Sequence, residues 1–468
     1  MARIFLLSLL LMLSACSLEP PYHRPCMEMP CTWRIESDQA STVANVRWWE
    51  AMGDPALNEL ILLALNNNKD LMVAVNRVCE FFARYQVVRS QLFPQIALNA
   101  LAVKERIPTA ESFLGRAKVT PFYLWEFTAS YELDFWGQIQ SQVHAACAEA
   151  LASVQNRRTV ILTLVSAVAS AYVELRELDR ELEIAFATLE ERREYLKLAI
   201  LRFEGGLTSE IEVTQAAAAY EQVLADVTTL EEQIPQQENL ISVLTGFPPG
   251  PILRGKTIDE LTLPCVIPTG LPAELLERRP DILAAELHLI AANAEIGAAR
   301  AAFFPQIALI GIYGGESFQL KDLFSPTARF WKIGAQLMEP IFTGGKLEGE
   351  LSIAEAETCE AFYAYEQTVL NAFKEVNDAL IAYRQSKELV KVQEGNVSAN
   401  KEYLRLSWLR YYNGQTDYLT VLDAESRLFE AQIALTQAEG SVFLAYVDLF
   451  KALGGGWVID ADCCLRNH

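Results

Sequence analysis

The chain has 468 residues and a formal net charge of −21, from 60 acidic against 39 basic side chains. That much negative charge excludes nucleic acid or an anionic lipid surface as the principal partner, because both would repel it. It suits a solvated wall or the lumen of a passage.

The first residues place Arg3 ahead of an apolar run from Ile4 to Leu13, then Ser14 and Ala15 before Cys16. A charged start, a short apolar stretch and a small-residue cleavage site describe a signal peptide over 1–15, too short for a mature spanning helix. Leu13-Ser14-Ala15-Cys16 resembles a bacterial lipobox, so Cys16 is expected to carry a covalent lipid and become the new N-terminus. Ser17, where inner-membrane lipoproteins usually carry Asp, directs the expectation to the outer membrane. Outside the signal no stretch of about 18 apolar residues stands out. A membrane crossing is therefore expected through β-strands.

A lipidated segment, 16–54, leads into the first of two related halves, 55–244 and 273–456. SQLFPQIALNA at 90–100 recurs as AAFFPQIALIG at 301–311, and LRFEGGLT at 201–208 recurs as LRYYNGQT at 409–416. Such a repeat at one spacing implies one plan used twice. Each half reads as a helix, two strands, a long helix, a tight turn and a return helix. The strands are placed at 95–105 and 122–134, then at 306–315 and 329–340. Loops at 106–120 and 316–328 join each pair. Between the halves, 245–272 holds six prolines and reads as a connector, and 457–468 is a tail.

Proline is absent between Pro121 and Pro235 and again after Pro340, which leaves room for the long helices 138–204 and 346–412. Ile161, Leu164, Val168, Ala171, Leu175, Leu178, Leu182, Ala185 and Leu189 recur at alternating three- and four-residue steps. Val369, Phe373, Val376, Leu380, Tyr383, Val390 and Val397 keep the same coiled-coil beat, interrupted at Lys387. A helix from Gln138 to Glu204 would be about 100 Å long at 1.5 Å per residue. The strands have the other period. Tyr123, Trp125, Phe127, Ala129, Tyr131 and Leu133 alternate with a face that is polar from Glu126, and Trp331 leads a similar series. About 9–11 residues suffice for a tilted membrane strand, and Tyr123, Trp125, Phe127, Tyr131 and Trp331 suit an aromatic girdle. Four strands cannot close a barrel, so the chain is expected to oligomerise.

Nine cysteines are present. Once Cys16 is acylated, the pairing among Cys26, Cys31, Cys265, Cys463 and Cys464 stays open, and Cys79, Cys147 and Cys359 read as small helix-packing residues. Four histidines show no ligand spacing with them, so no metal and no cofactor beyond the lipid is expected.

The segment 271–309, LPAELLERRPDILAAELHLIAANAEIGAARAAFFPQIAL, closely resembles the outer-membrane factor (TolC-like) family, in its NodT-like efflux lipoprotein branch. The likeness extends to both FPQI strand entries, the LDFWG and IFTGG junctions, and LRYYNGQTDYLTVLDAESRLFEAQ at 409–432. It implies a mixed α and β membrane protein: a trimeric twelve-stranded barrel continued by a helical coiled-coil barrel in the periplasm. It also implies the exit duct of a tripartite, RND-type efflux system, partnered by a membrane-fusion adaptor and an inner-membrane pump. The tips at Gly205, Gly206, Leu207, Thr208 and Ser209, and at Gly414, Gln415, Thr416 and Asp417, would dock the adaptor. Thr208 and Asp417 could cap the helices that follow. Two carboxylates three residues apart form the family's periplasmic constriction. Here Asp423 matches one and Thr420 stands at the other, with Asp417 one turn earlier as a substitute.

Two other functions share parts of this pattern: a protein-secretion duct of the same architecture, and a structural coiled-coil envelope lipoprotein. An enzyme is disfavoured by the lack of a nucleophile elbow, an HExxH pair or a phosphate-binding loop.

Overall fold

The computed structural model describes residues 18–27, 33, 47–107, 118–263 and 275–454. The signal segment, Cys16, Cys31, Cys265, Cys463, Cys464 and the tail 457–468 lie outside the described residues. Helices α1 (Pro55–Asn67) and α2 (Lys69–Arg89) precede strands β1 (Gln95–Ile107) and β2 (Lys118–Leu133). Then come α3 (Gln138–Glu204) and α4 (Glu210–Thr245). The second half repeats the order with α5 (Pro280–Ala301), β3 (Gln306–Ser317), β4 (Arg329–Met338), α6 (Lys346–Tyr412) and α7 (Tyr418–Ala452).

The long helices α3 and α6 span 67 residues each, with the bounds the proline pattern predicts. Their apolar beat is the buried one: Ile161, Val168 and Leu175 are fully buried on α3, as are Val369 and Val376 on α6. Pro235 lies inside α4, which runs on to Thr245. Neighbouring Ile234 and Ile241 are buried, so packing offsets the roughly 3 kcal/mol that an interior proline costs. Cys79 and Cys359 differ from expectation: both are exposed, one residue off the packed stripe at Cys79, where Val78 is buried.

The four strands form one antiparallel sheet in the order β1-β2-β3-β4. Pairing outlasts the sequence alternation. Glu105 sits opposite Thr120 and Arg106 opposite Val119, so β1, β2 and β3 extend further towards their loops than polarity suggests. Pro121 is tolerated in β2 because the β2–β3 ladder begins only at Tyr123 opposite Ser317. The register puts Leu98, Phe127, Tyr313 and Trp331 in one row across the sheet, with Ile96, Ala129, Gly311 and Ile333 in the next. Trp331 is 71% exposed and Ile333 81% exposed. The opposite face carries Asn99, Glu126, Thr128, Ser130, Lys332 and Gln336. At the sheet's base the two repeats lock together: Trp136 stacks on Phe304 at 4.7 Å and donates to the Pro305 carbonyl at 2.9 Å.

Among the described residues, three helices contain windows long and apolar enough, by length and composition alone, to cross a membrane: α3, α5 and α7. This corrects the expectation that none would. Between 44% and 61% of each window is buried within the chain, so packing against other helices accounts for the composition.

The compact units cut across the sequence repeats. One comprises 1–26, 77–154 and 284–366, and contains the sheet; the other comprises 27–76, 155–283 and 367–468. The second unit is organised around two buried polar groups. Asp54, with no exposed surface, caps α1 by accepting from the Ala56 amide at 2.8 Å. It also accepts from the Tyr172 hydroxyl at 2.7 Å and the Lys256 amide at 3.0 Å, tying the connector to α3. A Cβ on Gly255 would fall 2.0 Å from its carboxylate, which is why glycine stands there. Arg279, in the LERRPDI segment, donates to the Ala452 carbonyl at the end of α7 (2.9 Å), to Asp281 (2.6 Å) and to Glu375 on α6 (2.7 Å).

Replacing Asp54 with Ala would strand three buried donors. Asp54→Ala is expected to lower stability by about 3 kcal/mol or more, read as an earlier denaturant midpoint of the detergent-solubilised protein.

Candidate docking tips and constriction

Both helical turns are built by the same hydrogen bonds. After α3, the Leu207 amide donates to the Arg202 carbonyl at 2.7 Å and the Gly206 amide to Phe203 at 2.9 Å. After α6, Gln415 donates to Arg410 and Gly414 to Tyr411, each at 2.9 Å. This is the Schellman closure, and it needs a left-handed residue. Gly206 (φ 70°) and Gly414 (φ 69°) supply it, with open space where a Cβ would point. Backbone conformation, rather than crowding, therefore selects glycine at both.

The expected docking residues are at the surface: Gly205, Gly206, Leu207, Ser209, Gly414, Gln415 and Asp417 are exposed, and Thr208 and Thr416 are half-buried. Leu207 is 75% exposed. Sequence reading missed the apolar rim beside them, formed by Leu201, Ile211, Tyr412 and Leu419. Capping needs correction. Ser209, not Thr208, is the N-cap of α4, and neither Ser209 nor Asp417 makes a side-chain cap bond. Thr208 instead bonds Glu212, and Asp417 accepts from Thr420 at 3.2 Å. Local i,i+3 and i,i+4 partners outcompete the free amides.

Behind the tips lies a polar and aromatic node that sequence reading also missed. Glu212 accepts from the Tyr195 and Tyr411 hydroxyls, each at 2.6 Å, and lies 3.9 Å from Arg202. Tyr195 stacks on Tyr418 with ring centroids 3.6 Å apart, and Trp408 packs beside them. Together these residues join α3, α4, α6 and α7. Burial works to raise the Glu212 pKa. Hydrogen bonds from Thr208, Tyr195 and Tyr411 and the Arg202 charge outweigh it and hold the carboxyl below its ordinary value. A signal existed in the repeat: Glu212 is four residues past Thr208, where the second half has Thr420 four past Thr416.

Asp423 is paired within its own chain. It accepts from Arg427 Nε at 2.8 Å and from the Tyr403 hydroxyl at 3.1 Å. The Arg427 hydrogen bond does most to hold its carboxyl below the usual range, against a small effect of burial, with Tyr403 helping. Thr420 bonds Thr416 at 2.7 Å as well as Asp417, so these three form a neutral-to-acidic ladder one turn from Asp423. Tyr123, Trp125, Phe127, Tyr131 and Trp331 share the apolar face of the sheet. They run down and across it rather than forming one level. Among the described residues no group of three or more His, Cys, Asp or Glu could hold a metal ion.

The sheet carries an exposed aromatic face and the two helices of 67 residues end in matched turns, as the subunit of an outer-membrane channel with a periplasmic body requires. The family described as outer membrane efflux protein matches residues 60–246 and 271–455. The chain is 35% identical over 457 residues to the toluene efflux pump outer membrane protein TtgF of Pseudomonas putida, covering 95% of each. It is 34% identical over 457 residues to the outer membrane protein OprJ of Pseudomonas aeruginosa, covering 96% of this chain and 94% of that one. The open-state MtrE outer membrane channel of Neisseria gonorrhoeae superposes with a TM-score of 0.84 at 33% identity, covering 94% of this chain and 99% of that one. The chain belongs to the outer membrane efflux protein family and is the outer-membrane channel component of an efflux system.

Because the Glu212 pKa is depressed, its contribution to the tip is complete above the ordinary carboxylate pKa and lost as pH falls through the folded value. Hydrogen exchange at 195–216 is expected to show constant protection from about pH 8 to 5 and weakening below about pH 4. In Glu212→Gln that acid-dependent step should vanish.

Proposed function

We propose that three copies of the chain assemble into one passive duct, each supplying four strands to a twelve-stranded barrel. The duct receives drugs or other small molecules from an inner-membrane pump through a periplasmic adaptor and releases them outside the cell. It catalyses no reaction. The observation that carries this reading is the open four-stranded sheet with one apolar, aromatic face. Such a sheet belongs in lipid, and it satisfies its edges only against further copies. Names of relatives support the cargo class: they are described as toluene and antibiotic efflux pump components.

In this assembly Cys16 carries the lipid anchor. The tips at Gly205–Ser209 and Gly414–Asp417 meet the adaptor, and the exposed Leu207, Ile211 and Tyr412 provide the apolar part of that contact. Asp417, Thr420 and Asp423 line the narrowest periplasmic part of the passage. The Tyr403 bond to Asp423 ties α6 to α7 there, and Arg427 braces the same carboxylate from one turn further along α7.

Three outcomes are expected. Cys16→Ala abolishes incorporation of labelled palmitate; persistent label would exclude the lipobox. Asp423→Ala raises the conductance of the closed channel in planar bilayers by about twofold or more, and no change places the constriction elsewhere. Deleting the gene increases drug accumulation and leaves the secreted proteome unchanged, whereas the reverse result identifies a protein-secretion duct.

A further inference from the structure

The residues just after Cys16 make more specific contacts than a spacer requires. Glu19 pairs with His144 Nδ1 of α3 at 3.0 Å, and the Pro20 carbonyl accepts from Asn293 Nδ2 of α5 at 2.8 Å. Tyr22 donates to Glu286 Oε1 at 3.3 Å and Arg24 to Glu286 Oε2 at 2.7 Å. Arg24 is also hydrogen-bonded to Tyr365 of α6, itself 1% exposed. Glu286, Asn293 and Gly297 are spaced by seven and four residues, so they form one stripe along α5. At Gly297 a Cβ would fall 2.8 Å from the Glu19 Cα and 2.7 Å from Ser141 Oγ. Only glycine lets the segment lie that close.

We propose that residues 18–24 are a docking strap seated on this stripe of α5, and that the seat sets the depth at which the lipid on Cys16 enters the membrane relative to the sheet. The inference rests on the acylation of Cys16 proposed above. Acyl chains alone attach the protein without fixing its height. The strap does so through chain length. Cys16 is three residues from Glu19, a reach of about 11 Å at most. Glu19 in turn lies against Ser141 in the first turn of α3 and Gly297 near the end of α5. These two helix ends adjoin the roots of β2 and β3, where the apolar face begins with Ile96, Ile307 and Leu337. The lipid is thereby confined to the level of the membrane-facing rim, which favours insertion of the sheet in register with its neighbours.

The test uses full-length, palmitate-labelled protein extracted from outer membranes, treated with chymotrypsin and followed by mass spectrometry of the body. In wild type the bond after Tyr22 is expected to resist cleavage, keeping label and body together. Glu286→Ala removes two strap bonds and Gly297→Leu fills the seat, both without touching the lipobox. Each should leave acylation unchanged, speed cleavage after Tyr22 about tenfold or more, and lower recovery of the heat-modifiable oligomer several-fold. Glu286→Gln, which keeps the volume, should show the same direction with a smaller change and so separates strap release from misfolding. Wild-type cleavage rates or wild-type oligomer recovery in the variants would overturn the strap's role. A wild-type protein with an intact, protected strap but no label would overturn it through the lipid reading instead.

Discussion

Along the free sides of β1 and β4, backbone N–H and C=O groups face away from the sheet with no strand to pair with among the described residues. In water this is an aggregation hazard; in lipid each such group costs several kcal/mol. One face of the sheet is nevertheless built for lipid, with Trp331 and Ile333 more exposed than a water-soluble surface would favour. The two facts are compatible only if the edges are covered by other strands. Hydrogen-bond satisfaction is thus the physical ground of the proposed oligomer, and the family supplies the channel function.

The helices answer a different requirement. A coiled-coil beat over 161–189 and again over 369–397 buries a seam along helices of 67 residues, and the chain uses it in both halves. The halves are alike in backbone and unlike in side chains. Their tip turns close through matching hydrogen bonds, yet Glu212 in the first half gathers Tyr195, Tyr411 and Arg202, while its counterpart Thr420 bonds only Thr416 and Asp417. Duplication fixed the scaffold; divergence concentrated charge where the four helices meet.

Much of the fold was legible because its signals are local. Proline-free windows left room for α3 and α6, and two-residue alternation located the strands. The errors have physical causes as well. The loop-side ends of β1, β2 and β3 run past their expected bounds because backbone pairing, as at Arg106 opposite Val119, does not depend on side-chain polarity, whereas β4 stops at Met338, short of the expected 340. The tip turns were legible from their glycines, whereas Thr208 was misjudged as a cap because a partner four residues on, Glu212, competes for it.

The sequence by itself determined the repeat and the element types, and set the expectations of a lipidated Cys16 and of more than one copy, since each depends on periodicity, composition or a short motif. Only the tertiary structure decided which side chains meet. The Asp54 hub, the clasp of Arg279 on α6 and α7, the Glu212 node and the strap on α5 all join residues far apart in the chain. Side-chain chemistry says what each group can bond. Whether the partner is within about 3 Å is set by how the helices pack.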